Sequence, residues 1–349
     1  MTMWKIGLIG AGYWSSRHLQ AWQMIPNVMV TALCDPDLAK LSEKAHLYNI
    51  PEESLYLSAE EMVKEAEIDI VDVVTGPESH VALVELAAKA GKHVLCQKPF
   101  ARTLEEGARM VAFAKQAGVR LMVTENWRWL EPFRCIKEML NSGVIGAIHT
   151  VRYVHTDFYT PRMEPTVKLP QPVFREMPRL LFYEMGAHWF DVWRFLFGMP
   201  KRVYAELSQV SPYIAGEDNG IVVLGHEGFH GYMDMSWATR QQLDRPLSDS
   251  VAPVHLERLV IDGREGTLKL YTNGDISLIN QHGSEERWIK HGTTLDHEES
   301  HVRLQTHFIE CLNAGVDFDT SGADNMETLR LLFSVYESAE KHVAVYLAQ

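Results

Sequence analysis

Two glycines and a serine near the start of the chain have the spacing of a phosphate-binding turn. Gly10, Gly12 and Ser15 form the pattern G-x-G-x-x-S between a short apolar run and an amphipathic stretch. The first glycine permits a tight turn, the second lets the backbone approach a pyrophosphate, and the N-terminus of the next helix faces its negative charge. Ser15 replaces the third glycine and is small enough for close helix–strand packing. The pattern predicts dinucleotide binding.

An acidic residue follows this turn at the distance that dinucleotide binding requires. Asp35 ends the second apolar run, 25 residues after Gly10. A carboxylate at that place binds the adenosine ribose hydroxyls and repels a 2′-phosphate, so NAD is favoured over NADP. The alternative interpretation is a glycine turn with a helix-capping Asp35 before Pro36.

A second pattern suggests different chemistry. His297, Glu298 and His301 satisfy H-E-x-x-H on a predicted helix, which could bind zinc with Glu298 as a base. Sixteen histidines make such a pair easy to obtain by chance. We therefore interpret the motif as a helix start with exposed histidines and predict no metal.

The first third of the chain alternates short β-branched runs with amphipathic helical stretches. Nearly continuous apolar strands joined by helices are typical of a parallel sheet that is buried on both faces. The fold class is therefore α/β, with a doubly wound parallel sheet of the Rossmann type. The predicted strands are Lys5–Ile9, Val28–Cys34, Ile70–Thr75, His93–Cys96 and Arg120–Thr124.

The character of the sequence changes after Thr124, where we place a domain boundary. Hairpin signals between residues 201 and 290 indicate an open, mostly antiparallel sheet with one face against helices. The expected domains are 1–124 and 125–349, with terminal helices that could pack back on the first. The other predicted elements are a helix over 132–141, a long strand over 147–157, an irregular loop over 158–178, a helix over 179–197, and helices over 297–313 and 324–347.

Composition limits the kinds of partner. The chain has 349 residues, enough for about two domains. It carries 33 basic and 46 acidic residues, a formal charge of −13, so nucleic acid and anionic membranes are poor partners. Four separated cysteines give no disulfide or zinc framework, and no segment is apolar enough to span a membrane. The expected location is the cytoplasm.

Three further segments carry a family resemblance. They are Val73–His80, Ala90–Pro99 with the pattern A-G-K-H-V-x-x-x-K-P, and Glu184–Asp191 with H-x-x-D. Together with the glycine turn they resemble the Gfo/Idh/MocA oxidoreductases. The resemblance covers essentially the whole chain and implies a Rossmann domain followed by an α/β domain that holds a sugar or cyclitol against the nicotinamide. It also implies a homodimer or homotetramer formed through the open sheet face.

The resemblance also implies which residues form the site. Those expected at the cofactor are Gly10, Gly12, Tyr13, Trp14, Asp35, Thr75, Gly76, Pro77, His80, Gln97, Lys98 and Asn126. Those expected at the substrate are Lys98, Trp127, Arg128, Tyr159, Glu184 and His188. Two positions depart from the family pattern: Gln97 stands where Glu is usual, and Glu184 where Asp is frequent.

Oxidation of an alcohol needs a base for the hydroxyl proton and a cation near the reacting oxygen. His188 suits the base because imidazole exchanges protons near neutral pH. Lys98 suits the cation because it follows a parallel strand at the edge where ligands bind. Glu184 precedes His188 by four residues and could orient it. Without the resemblance, each could be an ordinary surface charge.

The predicted function is NAD-dependent oxidation of an anomeric or secondary hydroxyl of a sugar. Two alternatives stay open among enzymes, a cyclitol dehydrogenase and a keto-sugar reductase. A third alternative, of another class, is a catalytically silent dinucleotide-binding sensor. The sequence does not identify the sugar.

Overall fold

A computed structural model describes residues 3–240, 256–280, 287–290 and 297–347. It divides the chain into two compact units. Unit 1 comprises Met1–Trp129 and His297–Leu329, and unit 2 comprises Leu130–Asp296 and Arg330–Gln349. Unit 1 thus includes the helix that starts at His297, far along the chain from its sheet.

The secondary structure alternates regularly in the first unit and is strand-rich in the second. The strands are β1 (Trp4–Ile9), β2 (Val28–Cys34), β3 (Leu55–Tyr56), β4 (Ile70–Val73), β5 (His93–Cys96), β6 (Leu121–Val123), β7 (Ile148–Thr156), β8 (Arg202–Ser208), β9 (Asn219–Gly225), β10 (His230–Ser236), β11 (Glu257–Gly263), β12 (Gly266–Tyr271), β13 (Ile276–Asn280), β14 (Arg287–Lys290) and β15 (Val345–Tyr346). The helices are α1 (Ser15–Met24), α2 (Leu38–Tyr48), α3 (Ala59–Glu65), α4 (Pro77–Lys89), α5 (Leu104–Ala117), α6 (Glu131–Asn141), α7 (Leu181–Glu184), α8 (Gly186–Phe197), α9 (His297–Ala314) and α10 (Gly322–Lys341).

The sheet of unit 1 is parallel and doubly wound, as predicted. Its order is β3-β2-β1-β4-β5-β6. The order reverses between β1 and β4, which is the point at which ligands of such sheets bind, beyond the carboxyl ends of the strands. On one face, Leu304 and Phe308 of α9 pack with Ile6, Ile70 and Leu95. The sheet is therefore covered on this face by a helix that lies far along the chain from the strands it covers.

The sheet of unit 2 is mixed and mostly antiparallel, which confirms the predicted class. Its order is β14-β13-β12-β11-β7-β10-β9-β8-β15, and β7 and β10 pair in parallel. The hairpin signals at residues 226–228 and 273–274 join β9 to β10 and β12 to β13. Parts of the predicted strand-rich region, 241–255 and 281–286, lie outside the described residues.

Three details differ from the sequence-based expectations. The helix expected over 179–197 is divided at Met185, where the His188 amide donates to the Met185 carbonyl instead of continuing the α-helical pattern. The last helix ends at Lys341, because His342 takes a positive φ of 54° and the chain then adds β15 to the sheet edge. The two-residue strand β3 was not predicted.

No helix among the described residues has the length and apolarity to cross a membrane.

Candidate active site

The glycine turn lies directly after β1 at the point where strand order reverses. Gly10 has a φ of +102°, and a Cβ there would stand 2.3 Å from the Val74 carbonyl oxygen, so only glycine fits. Its amide donates to the Cys34 carbonyl at 2.7 Å, which ties the turn to β2. A Cβ on Gly12 would meet no atom within 4 Å. The protein thus leaves open space at the glycine that the pyrophosphate is expected to approach.

The N-terminus of α1 is available to an anion. No side chain caps its first turn, which contains no acidic residue. Ser15 is buried, and its hydroxyl donates to the Gly12 carbonyl at 2.7 Å. Tyr13 is 61% exposed and Trp14 is half-buried, with their rings packed edge to face. Backbone amides with a positive helix end suit a pyrophosphate.

Asp35 lies at the end of β2, beside the glycine turn. Its carboxylate accepts from the Ala11 amide at 2.7 Å and from the Asp37 amide at 2.9 Å. The capping role considered in the sequence belongs instead to Asp37, whose side chain accepts from two amides of α2. Asp35 is therefore fixed at the edge where an adenosine ribose would lie, and its cofactor role stays a prediction.

The segment after β4 follows the strand that pairs with β1, on the other side of the order reversal. Gly76 and Pro77 begin α4, and the Thr75 hydroxyl lies 2.7 Å from that of Ser79. His80 is fully buried, with Nδ1 3.0 Å from the Phe100 carbonyl and Nε2 3.1 Å from the Thr75 carbonyl. Burial lowers the pKa of His80 below its usual value. His80 thus links Thr75 to Phe100, so it would act on a cofactor through Thr75.

Lys98 follows β5 by two residues and is buried, with only 7% of it exposed. Its amide donates to the Gln97 side-chain oxygen at 2.7 Å. The peptide between Lys98 and Pro99 is cis. The carboxyl ends of β1, β2, β4 and β5 are adjacent, so the structure brings Gly10, Gly12, Asp35, Thr75 and Lys98 to one edge of the sheet.

The segment after β6 is anchored to the C-terminal helices of unit 1. Asn126 donates to the Ser300 hydroxyl at 2.7 Å, and the Trp127 ring lies 5.9 Å from that of His297. Arg128 is buried and donates to the Asp319 carbonyl at 2.8 Å and to Asp324 at 3.3 Å. Arg128 therefore forms its ion pair with Asp324 inside unit 1.

The H-E-x-x-H segment begins α9 and also packs on the nucleotide edge. His301 is buried, which corrects the expectation that both histidines are exposed. Its Nδ1 donates to the His297 carbonyl at 2.7 Å, and its ring stacks on Trp14 at 6.2 Å. Glu298 pairs with Arg17 of α1. These contacts give the motif a packing role beside the glycine turn.

Glu184 and His188 lie in unit 2, on either side of the helix break. Glu184 ends α7 and His188 lies in the first turn of α8, and both are buried. Met185 separates α7 from α8 between the two residues, although its own backbone stays in the right-handed helical region. Glu217 holds the start of α7: its carboxylate accepts from the Leu180 amide at 3.2 Å and the Phe182 amide at 2.9 Å.

Tyr159 begins the irregular loop that follows β7. Its amide donates to the Trp237 carbonyl at 2.7 Å, and the two rings lie 5.2 Å apart. The adjacent Thr160 donates to the buried carboxylate of Asp218 at 2.5 Å, and Asp218 also accepts from the Val210 and Ser211 amides. A fully buried carboxylate thus fixes the beginning of this loop.

Several buried polar residues that support these segments were missed in the sequence. They are His18, Asp72, Glu217 and Asp218. Asp72 offered a signal, because a carboxylate within the apolar run I-V-D-V must find a buried partner. Its partner His18 is 54 residues away and is not marked by any spacing.

The fold and the nucleotide edge define a class, the oxidoreductases with an NAD-binding Rossmann domain. Residues 4–125 match the family model described as an oxidoreductase family with an NAD-binding Rossmann fold. Residues 133–269 match the model of the Gfo/Idh/MocA C-terminal domain. The chain belongs to the Gfo/Idh/MocA oxidoreductase family.

Two relatives match nearly end to end. A D-apiose dehydrogenase of Paraburkholderia graminis is 36% identical, over 98% of this chain and 89% of that protein. A D-apiose dehydrogenase of Rhizobium rhizogenes is 31% identical, over 97% and 96%. An oxidoreductase structure from Agrobacterium radiobacter, in complex with NAD⁺, L-tartaric acid and magnesium, is 30% identical with a TM-score of 0.88, over 99% of this chain and 98% of that one.

Proposed function

We propose that this protein is an NAD-dependent dehydrogenase that oxidises an anomeric or secondary hydroxyl of a sugar. The observation that carries the proposal is the position of Lys98, a buried cation at the same sheet edge as the open glycine turn. Similarity to two D-apiose dehydrogenases along almost the full length supports an aldose, with D-apiose the first compound to test.

Each proposed catalytic residue has one task. The Lys98 ammonium binds the reacting oxygen and stabilises the negative charge that develops on it. His188 takes the hydroxyl proton, and Glu184 orients His188 or holds a neighbouring hydroxyl. NAD, when bound, would supply the hydride acceptor for the carbon that carries the reacting hydroxyl. Gly12 and the first turn of α1 would hold its pyrophosphate, and Asp35 its adenosine ribose.

The test is NADH formation at 340 nm with NAD and a panel of aldoses, cyclitols and sugar acids. We expect Lys98→Ala and His188→Ala to lower kcat by about 100-fold or more, because each removes a group that acts in the transition state. Lys115→Ala and His149→Ala change exposed residues of the same types and are the matched controls. Loss of activity in the controls, or its retention in Lys98→Ala, contradicts the assignment.

The same assay separates the alternatives. Turnover of inositols alone supports the cyclitol dehydrogenase, and NADH consumption with keto-sugars alone supports the reductase. A wild-type protein that binds NADH and converts no compound supports the silent sensor.

The proposed assembly is a homodimer or homotetramer formed through the open face of the unit 2 sheet. Ile221 and Val223 of β9 are 42% and 41% exposed on one face, and Tyr204 and Tyr232 flank Val223 on β8 and β10. An apolar and aromatic stripe of this kind suits a second copy of the same face. Sedimentation equilibrium should give a dimer or larger species, and Val223→Lys should shift it toward monomer. A wild-type monomer would exclude this assembly.

We place the enzyme in the cytoplasm because its four cysteines are free thiols. Burial is the main cause that raises the pKa of Cys34, to about 12, so its reactive thiolate is scarce. Fractionation of the source cells should recover the protein with cytoplasmic markers.

A further inference from the structure

A histidine inside unit 1 makes hydrogen bonds through both ring nitrogens. His18 of α1 is fully buried, and its Nδ1 lies 2.9 Å from the carboxylate of Asp72 in β4. Its Nε2 lies 3.0 Å from the side-chain nitrogen of Gln97. Asp72 also accepts from the indole N–H of Trp22 at 2.7 Å. The pair is therefore held between α1 and two neighbouring strands.

The backbone N–H of Lys98 sets the direction of the hydrogen bonds that link it through Gln97 and His18 to Asp72. A backbone N–H can only donate, so the Gln97 atom that faces it at 2.7 Å must be the amide oxygen. The Gln97 nitrogen then faces His18 and donates to Nε2. An imidazole that accepts at Nε2 carries its proton on Nδ1, where it meets the Asp72 carboxylate.

We infer that His18 and Asp72 are positioning residues for the Lys98 ammonium, acting through the amide of Gln97. This inference rests on the proposed function, in which Lys98 binds the reacting oxygen. If the Gln97 amide turned over, its NH₂ group would face the Lys98 N–H and its oxygen would face the lone pair of Nε2. Two opposed pairs of buried groups are unfavourable, so the amide keeps one orientation and fixes the backbone from which Lys98 extends.

Three ionisable side chains, Asp72, His301 and Cys96, surround His18. Asp72 is the facing carboxylate, and His301 of α9 packs at a ring distance of 5.3 Å. Burial, with a smaller contribution from the charge of Asp72, raises the pKa of the Cys96 thiol in β5 well above its usual value. A pH effect assigned to His18 must therefore be separated from His301, for which His301→Gln is the control.

Two substitutions of His18 distinguish positioning from simple packing. Glutamine places a polar group near the Nε2 position and can still accept from Gln97, whereas asparagine reaches only the Nδ1 position. We expect His18→Gln to keep kcat within about threefold and His18→Asn to lose about tenfold or more, with the KM for NAD unchanged in both. Equal kcat in the two variants, at equal melting temperature, overturns the inference.

Gln97→Glu provides a second test with a readout that packing alone would not change. A carboxylate at 97 has no N–H to donate, so it can accept from the Lys98 N–H and still bond to His18 only if Nε2 carries a proton. With the Nδ1 proton kept on the side of Asp72, the ring must then be an imidazolium. We expect the kcat–pH profile of this variant to gain an ionisation, with activity lost as pH rises, which the wild type lacks. Gln116→Glu, an exposed residue of α5, is the matched control. A profile that matches the wild type overturns the inference.

An NMR measurement tests the hydrogen-bond chain through His18 without depending on whether the proposed function is right. In ¹⁵N-histidine-labelled protein, the His18 signal, identified by its loss in His18→Gln, should show the neutral Nδ1–H form. The Nε2–H form overturns the inference without any assay of turnover. If no sugar is oxidised while Nδ1–H is found, the proposed function fails and the hydrogen-bond chain stands. If sugar is oxidised and His18→Asn equals the wild type, the positioning role fails and the function stands.

Discussion

The phenol of Tyr336 donates to the carboxylate of Glu217 at 2.6 Å, across 119 residues of sequence. Both side chains belong to unit 2, and the Glu217 carboxylate simultaneously receives amides at the start of α7. Burial and the nearby Glu217 carboxylate raise the pKa of Tyr336 far above its ordinary value. The helix that leads to Glu184 is thus tied to α10 through one carboxylate.

Removal of this phenol should weaken unit 2. We expect Tyr336→Phe to lower the free energy of unfolding by about 1–3 kcal/mol, because a buried carboxylate loses one of its donors. Chemical denaturation measures the change. Tyr346→Phe alters an exposed tyrosine, 75% accessible, and should have little effect. Equal stability of the two variants would refute the role of this hydrogen bond.

The two glycines of the turn should respond differently to a methyl group. Gly12→Ala meets no protein atom, so we expect unchanged stability and an NAD dissociation constant raised about tenfold or more. At Gly10 the backbone φ is positive and an added methyl group would meet the Val74 carbonyl. We therefore expect Gly10→Ala to lower the free energy of unfolding by more than about 2 kcal/mol. Calorimetry of NAD binding and thermal unfolding report the two effects. Unchanged NAD affinity in Gly12→Ala would contradict the proposed pyrophosphate position.

Replacement of Asp35 tests the preference for NAD over NADP, and replacement of the neighbouring Asp37 is the control. Asp35→Ala should lower the NAD-over-NADP preference in kcat/KM by about tenfold or more, because the charge that repels a 2′-phosphate is gone. Asp37→Ala removes a cap of α2 and should reduce stability by about 1 kcal/mol without changing that preference. An unaltered preference in Asp35→Ala counts against the ribose assignment.

His226 should make unit 2 sensitive to acid. Burial, with a smaller contribution from Lys201, lowers its pKa from 6.5 to about 4. The folded state therefore stays neutral at His226 while the unfolded state takes up a proton, so stability falls as pH drops from about 6.5 to about 4. Because the ring is half-exposed, we expect a loss of about 1–2 kcal/mol.

Glutamine at 226 can still accept the Trp193 indole N–H, which lies 2.9 Å from Nε2, and it does not titrate. Denaturation of His226→Gln at pH 7 and pH 4.5 should show a smaller difference than the wild type. The same difference in both proteins would assign the acid sensitivity to other groups.

The strands of the first sheet were predictable because each is an apolar run between turn residues. The bounds of β2 and β5 agree with the sequence prediction, whereas β3 and β15 have two residues each and show no periodicity. The break at Met185 follows a helix start held by Glu217, which lies 33 residues after Glu184 and leaves no local mark. Likewise, the apolar run around Asp72 could have marked it as a buried charge, but its partners His18 and Trp22 depend on long-range packing.

The position of α9 in the sequence means that it is synthesised long after the sheet that it covers. Leu304 and Phe308 complete the cluster around Ile6 and Ile70, yet they emerge only after strands β7 to β14 of the mixed sheet have been made. A nascent chain that ends before α9 leaves one side of its first sheet without this cover. The nucleotide edge, where His301 stacks on Trp14, is therefore finished near the end of synthesis, and an interrupted translation product lacks it.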